Sequence, residues 1–229
     1  EIQIIGDGLQ RGRSLYSRHC MHCHGSSGDG YGPTAKYFNV RPRDYRKGIF
    51  KFTSTKSSVL ASRDDLYRFI KLGAPGTYMP SFMLLPDSEV ATLVEYIRWL
   101  SMRGQFEGKL AASLKDDFPK SRLEEESAKD VTKEFEEYWA TVGPEDLEFA
   151  VSSLKEDWTL SEDTASVIKP ASGRPESTVE SIARGRAIFI GPKAKCAACH
   201  GESARGDGPS TEIVNNLPGQ PGVKGENQY

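Results

Sequence analysis

Apolar positions recur every three to four residues along much of the chain, which is the spacing of an α-helix with one buried face. In the first half this pattern predicts helices over residues 7–20, 63–72 and 86–103. Gly12 leaves the first helix without a side chain at a point where another helix can approach closely. We therefore predict that the first and third helices cross at this glycine.

The helical pattern continues in the second half of the chain. Residues 121–139 and 145–158 are predicted to form two acidic helices, separated by a Gly-Pro pair that ends the first of them. Residues 177–180 fit an N-terminal capping box, and a further helix is expected from there to about Ile190. The predicted fold class is all-α.

The most specific local pattern is Cys-x-x-Cys-His, which occurs at residues 20–24 and again at residues 196–200. All four cysteines of the chain fall in these two motifs. In a c-type haem attachment site, the two thiols bond to the porphyrin and the histidine after the second cysteine ligates the iron. We therefore expect two covalently attached haem c groups, the first held by Cys20, Cys23 and His24 and the second by Cys196, Cys199 and His200.

A methionine is the predicted sixth ligand of the first iron. Met79 follows a Gly-rich turn and precedes Pro80, so the backbone is restricted where the thioether would be presented to the metal. Met83 is the alternative ligand, and a buried core methionine is the purely structural explanation. No methionine, histidine or cysteine occurs after His200, so the second iron has no equivalent candidate in this sequence.

These features appear in a familiar order over residues 6–103: helix, Cys-x-x-Cys-His, glycine loop, Met-Pro loop and an aromatic-rich final helix. This order resembles a class I cytochrome c domain. The resemblance implies a compact helical fold with one haem edge exposed for electron exchange. A second such domain begins within residues 177–229, joined to the first by an acidic helical segment at residues 104–176.

The second domain has no aromatic-rich final helix before Tyr229. We expect that part of this domain is missing from the sequence, because the first domain is much longer after its haem motif. A ligand supplied by another chain and a five-coordinate second iron are the alternatives.

Charge is unevenly distributed, although the net charge of the chain is only −2. Residues 1–103 carry a net charge of +6, residues 104–180 carry −10 and residues 181–229 carry +2. The acidic middle could dock a basic partner, lie against the basic first domain or form a solvated helix face. A nucleic-acid partner is not expected, since the basic cluster near residue 43 is short and haem is attached in another compartment.

The sequence contains no run of roughly 20 apolar residues that would form a transmembrane helix. It begins at Glu1 rather than Met, so we expect a processed product whose export signal or membrane anchor has been removed. Covalent haem attachment in bacteria takes place outside the cytoplasmic membrane. The expected location is periplasmic or equivalent, with membrane association through a lost anchor or a partner.

The function predicted from these features is electron transfer between redox proteins by a dihaem c-type cytochrome, as a subunit of a respiratory or other membrane-associated redox complex. One alternative is a dihaem peroxidase-like oxidoreductase with an open second haem at His200. The other is a structural subunit stapled by zinc, since paired Cys-x-x-Cys elements can also make a four-cysteine metal site.

Overall fold

In the computed structural model, the chain is described at residues 2–38, 41–115 and 117–210. Its internal contacts divide it into two compact units, residues 1–168 and residues 169–229. The first Cys-x-x-Cys-His motif therefore lies in the first unit and the second motif in the second unit.

The described part of the first unit is helical. Its α-helices are α1 Ile2–His19, α2 Met21–His24, α3 Arg63–Leu72, α4 Asp87–Leu114, α5 Lys120–Glu125, α6 Ala128–Thr141 and α7 Gly143–Leu160. Short 3-10 helices cover Ala35–Tyr37, Tyr45–Lys47 and Thr164–Ser166. Across the described residues of both units there is no β-strand, apart from an isolated bridge between Thr55 and Val167. The all-α fold class is therefore confirmed.

Helices α1 and α4 cross at Gly12, as the sequence predicts. A Cβ atom at this glycine would lie 2.7 Å from Cβ of Tyr96 and 3.1 Å from the carbonyl oxygen of Thr92. Tyr16, one turn further along α1, is 1% exposed, and its ring centroid is 5.3 Å from that of Tyr96. Around this crossing lies the apolar core, whose buried members include Leu15, Leu66, Ile70, Val90, Leu93, Val94, Ile97 and Leu100.

Helix α3 has the predicted bounds because both of its ends are specified locally. The Ser62 hydroxyl accepts a hydrogen bond from the Asp65 backbone N–H at 3.2 Å, which caps the first turn. Gly73 follows the helix with a φ of +70°, a conformation that favours glycine. The chain then enters the loop that carries Met79 before α4 begins at Asp87.

The prediction that α4 ends near Arg103 is wrong, since the helix continues to Leu114. Gly104 serves a close approach and does not end the helix: a Cβ atom there would lie 2.4 Å from Cβ of Arg46. Most of the residues after it, such as Gln105, Glu107, Leu110 and Ala111, have high helix propensity, which offsets the entropic cost of the glycine.

The prediction of one helix over residues 121–139 is also wrong. The structure has two helices, α5 and α6, separated at Ser127. The Ser127 hydroxyl accepts a hydrogen bond from the Asp130 backbone N–H at 3.2 Å, so this residue begins a new helix.

The end of the acidic segment packs on the N-terminal part of the first unit. Ala150, Leu154 and Trp158 of α7 are buried where that helix lies against α4. Further along, the Lys56 N–H donates to the Ser166 carbonyl at 2.8 Å, and the Ile168 N–H donates to the Ser54 carbonyl at 2.8 Å. Of the arrangements that the sequence leaves open, residues 143–168 adopt the one in which they lie against the first domain.

A buried ion pair joins α4 to the segment after α7. The Arg98 side chain is 3% exposed, pairs with Glu162, and lies with its guanidinium carbon 4.8 Å from the centroid of the Trp158 ring. Its Nε atom has no hydrogen-bond partner among the residues that the structure describes. Burial lowers the pKa of Arg98, while the Glu162 carboxylate opposes this shift by stabilising the charged guanidinium. Glu162 therefore provides most of the stabilisation that offsets the burial of the Arg98 charge.

Replacing Glu162 by Ala should lower the free energy of unfolding by about 3 kcal/mol, because it leaves the buried Arg98 guanidinium without the carboxylate that it pairs with. Urea unfolding of the purified chain measures the change. Glu156→Ala is the matched control, since it removes an exposed carboxylate from the same segment and should change stability little. Equal stability of both variants would show that the Arg98–Glu162 pair does not hold α7 to α4.

The described part of the second unit consists of α8 Val179–Ile190 and α9 Cys196–His200. Helix α8 ends where the sequence predicts, but its capping box is shifted by one residue from the predicted 177–180. The Ser181 N–H donates to the Thr178 hydroxyl at 3.2 Å, and the Thr178 N–H donates to the Ser181 hydroxyl at 2.9 Å. Two short hydroxyl side chains thus close the box in place of Ser177 and Glu180.

No helix within the described ranges combines the length and the apolar character needed to cross a bilayer.

Candidate functional site: two Cys-x-x-Cys-His turns

The first motif follows α1 directly, with Cys20 before α2 and Cys23 and His24 within it. The Cys20 N–H donates to the Tyr16 carbonyl at 2.8 Å, and the His24 N–H donates to the Cys20 carbonyl at 2.9 Å. Both cysteines are free thiols, and Cys23 accepts a hydrogen bond from the Thr34 hydroxyl at 3.3 Å. Burial raises the pKa of Cys20 to about 12, so this thiol is protonated at neutral pH. The structure therefore brings Cys20, Cys23 and His24 together in one turn.

His24 is 8% exposed, and its ring is held on one edge and on one face. Nδ1 lies 3.2 Å from the Arg43 carbonyl oxygen. A carbonyl can only accept, so Nδ1 carries the proton and Nε2 carries the free lone pair. Tyr45 stacks on the imidazole with ring centroids 4.6 Å apart and an angle of 20° between the planes.

Burial also decides the protonation state of His24. It lowers the pKa of the imidazole to about 4, although the hydrogen bond to the Arg43 carbonyl favours the charged form. The ring is therefore neutral at neutral pH. A neutral imidazole with Nδ1–H bound and Nε2 free is the form that ligates a metal. Together with the two free thiols, this donor set fits a covalently attached haem c.

The glycine loop after the first motif folds back on the motif itself. Gly25 and Gly30 both have a φ of +78°, and the Tyr16 hydroxyl donates to the Gly25 carbonyl at 2.8 Å. A Cβ atom at Gly32 would lie 2.4 Å from the His22 carbonyl oxygen. Glycine is therefore required where the loop crosses the backbone of the motif.

Met79 lies in the loop between α3 and α4 and is half-buried, whereas Met83 is 59% exposed. The loop is tight: the Ala74 N–H donates to the Met79 carbonyl at 3.1 Å, and a Cβ atom at Gly73 would lie 2.7 Å from the Pro80 carbonyl carbon.

Aromatic contacts on both flanks of Met79 bring this loop beside the first motif. The Phe82 ring centroid lies 6.1 Å from that of His19, the residue before Cys20. On the other side, Tyr78 stacks on Phe38 at 4.9 Å, just after the glycine loop. The loop that carries the predicted sixth ligand is thus attached to both ends of the segment that carries the first motif.

The second motif repeats the local backbone of the first. It forms the short helix α9, Gly201 follows it with a φ of +74°, and a Cβ atom at Gly208 would lie 2.3 Å from the Ala198 carbonyl oxygen. Among the backbone hydrogen bonds that the two loops share, three tie the returning part of the loop to the motif. The Gly30 N–H donates to the His24 carbonyl at 2.9 Å, and the Gly206 N–H donates to the His200 carbonyl at 2.8 Å. The Gly32 N–H donates to the Cys23 carbonyl at 3.1 Å, and the Gly208 N–H donates to the Cys199 carbonyl at 3.2 Å. The Thr34 N–H donates to the His22 carbonyl at 3.0 Å, and the Ser210 N–H donates to the Ala198 carbonyl at 2.8 Å.

The two motifs differ in their surroundings. His200 is exposed, with its ring centroid 6.3 Å from that of Phe189, whereas His24 is buried. Cys196 and Cys199 form no disulfide, and both are half-buried. The residues after Ser210, where a partner for the His200 ring or a sixth ligand would be sought, lie outside the described residues.

Sequence reasoning missed the two residues that hold His24 in place. Arg43 contributes a backbone carbonyl, which every residue type possesses, and Tyr45 lies 21 positions along the chain in a 3-10 turn. The local signal was Asp44, whose carboxylate accepts from the Arg46 N–H at 3.0 Å and caps that turn. This cap predicts the turn, but it does not predict which ring the turn covers.

Residues 9–101 match the family model described as cytochrome c. A search of curated proteins found no significant match. Among solved structures, the chain is similar to a chain of the Kuenenia stuttgartiensis reducing HAO-like protein complex Kustc0457/Kustc0458. The TM-score is 0.55 and the identity 22%, and the similarity covers 88% of this chain and 66% of that chain, so it supports the fold alone.

Three observations agree with one another. They are the helical fold around the α1–α4 crossing, the Cys-x-x-Cys-His turn with a neutral, oriented His24, and the family match. Residues 9–101 are therefore similar to cytochrome c domains, a class that binds haem c covalently and uses it for electron transfer.

Proposed function

We propose that the chain is a dihaem c-type cytochrome that transfers electrons between redox partners as a subunit of a larger redox complex. Cys20 and Cys23 would attach the first haem, with His24 and Met79 as axial ligands. Cys196 and Cys199 would attach the second, with His200 as its proximal ligand. Each haem supplies a one-electron couple, and the protein sets its potential and its access to partners.

The observation that carries the proposal is the shared backbone of the two loops. Each Cys-x-x-Cys-His turn is followed by the same three backbone hydrogen bonds and by a glycine that cannot accept a Cβ atom. A Cys-x-x-Cys pair that served another purpose would not need its following loop folded back in this way. The likeness between the two loops supports the same use of both motifs.

The residues around the first motif have separate tasks. The Arg43 carbonyl and the Tyr45 ring orient His24 so that Nε2 remains available. Met79 supplies a thioether, and thioether ligation raises the potential of a haem relative to harder ligands. Buried rings such as Tyr16 exclude water from the region around the motif.

The partners and the location follow from the class of domain. Cytochrome c domains are typically extracytoplasmic, so the periplasm or an equivalent compartment is the proposed location. The similar solved chain is part of a complex, which supports association of this chain with other redox subunits. An acidic middle of net charge −10 would favour partners with a basic surface.

The number of haems per chain tests the proposal. Intact mass spectrometry and pyridine haemochrome absorbance of natively purified protein should both give two covalently bound haems for each chain. One haem per chain would contradict the role given to the second motif. Chains without haem, with zinc bound to the cysteines, would overturn the proposal in favour of a structural subunit.

A further inference from the structure

The buried indole of Trp158 connects the acidic segment to α4. Trp158 is 3% exposed, and its Nε1–H donates to the Gln105 side-chain oxygen at 2.9 Å. A buried indole N–H needs a partner, and this hydrogen bond also fixes the orientation of the partner's amide group. The Gln105 oxygen points to Trp158, so its Nε2 is directed elsewhere.

The Gln105 amide nitrogen contacts the turn that carries Tyr45. Nε2 donates to the Lys47 carbonyl at 3.4 Å, which is a long hydrogen bond, but the amide also packs closely against Gly48. A Cβ atom at that glycine would lie 2.6 Å from Nε2. The neighbouring Gly104 allows equally close contact with Arg46. Helix α4 therefore supports the turn directly at two successive residues.

The same turn holds the proximal histidine of the first motif. Tyr45 stacks on the His24 ring, and the Arg43 carbonyl accepts the Nδ1 proton. The Tyr45 N–H donates to the Gly28 carbonyl at 2.7 Å, which ties the turn to the glycine loop. A continuous series of contacts thus runs from Trp158 through Gln105 and the turn to His24.

We propose that Trp158 is a positioning residue for His24, acting through Gln105 on the segment 43–48. This inference rests on the proposed role of His24 as a haem ligand. A firm Nδ1–H···O=C bond makes the imidazole a stronger donor, which favours ferric iron and lowers the potential. A residue of the segment between the two haem motifs thereby adjusts the potential of the first haem.

Two variants test this relation in the haem-loaded chain. Trp158→Phe keeps an aromatic ring beneath Arg98 but removes the N–H donor. Gln105→Met removes both the oxygen and the NH2 of the side-chain amide at similar volume. Each should raise the midpoint potential of the first haem. Hydrogen exchange at the Tyr45 and Gly48 amides should become roughly two- to tenfold faster, as expected for the loss of one neutral hydrogen bond.

Trp139→Phe is the matched control, because it makes the same substitution at a tryptophan of α6 that is 41% exposed. It should leave the potential and the exchange rates unchanged. The double variant Trp158→Phe/Gln105→Met should resemble Gln105→Met alone, since both residues act on one path.

The inference is overturned if both single variants lose stability while the potential stays that of the parent chain, because Trp158 would then have a structural role only. A failure of the proposed function looks different: the parent chain itself would lack haem at Cys20 and Cys23. The haem content of the parent chain and of each variant is therefore measured first.

Discussion

Replacing Cys20 and Cys23 together by Ser should remove one of the two proposed covalent haems from the chain, and replacing Cys196 and Cys199 should remove the other. Each attachment needs a pair of thiols, and the chain has four cysteines in all. Pyridine haemochrome absorbance per chain should fall to about half in either double variant. Peptide mapping should then place the remaining haem on the untouched motif.

Met21→Ala is a useful control for the first pair, since it changes a residue inside the motif that is 36% exposed and has no proposed role in attachment. It should keep both haems. If the Cys196/Cys199 variant retained all the haem absorbance of the parent chain, the second motif would not be a haem site.

Replacing Met79 by Ala should abolish the low-spin His/Met signature of the first haem while both haems remain attached. The thioether-to-iron absorbance in the near infrared should disappear, and the potential of that haem should fall because methionine ligation raises it. Met79 is half-buried in a loop, so its removal should not unfold the domain, which circular dichroism can verify.

Met83→Ala is the matched control, since Met83 lies in the same loop and is 59% exposed. It should leave the near-infrared absorbance intact. Loss of the signal in the Met83 variant and its survival in the Met79 variant would transfer the ligand assignment to Met83.

The C-terminal part of the acidic segment is packed on the first domain. Residues up to 168 belong to the same compact unit as residues 9–101. They are joined to it by Trp158, by the Arg98–Glu162 pair and by the backbone hydrogen bonds at Ser54 and Lys56. A partner that contacts α7 would therefore contact an element packed directly on α4. Because Trp158 of α7 contacts Gln105, a change in the packing of α7 would also act on the turn at Tyr45 and on His24.

The features that could be predicted are those specified by neighbouring residues. Helix α3 has the expected bounds because Ser62 and Gly73 act on their own turns. The crossing at Gly12 could be predicted because helical spacing places this glycine on the apolar face of α1. The extension of α4 past Gly104 could not, since the close contact with Arg46 that this glycine allows is a tertiary one.

The sequence by itself determined the two Cys-x-x-Cys-His turns, the all-α class and the unequal distribution of charge, because each depends on residue type and short spacing. Only the tertiary structure decided that the Arg43 carbonyl orients His24, that Glu162 compensates buried Arg98, and that Trp158 reaches the turn at Tyr45 through Gln105. These contacts join residues up to 64 positions apart, and some use backbone atoms common to every residue. Their partners are selected by how the helices pack, and no local pattern records that choice.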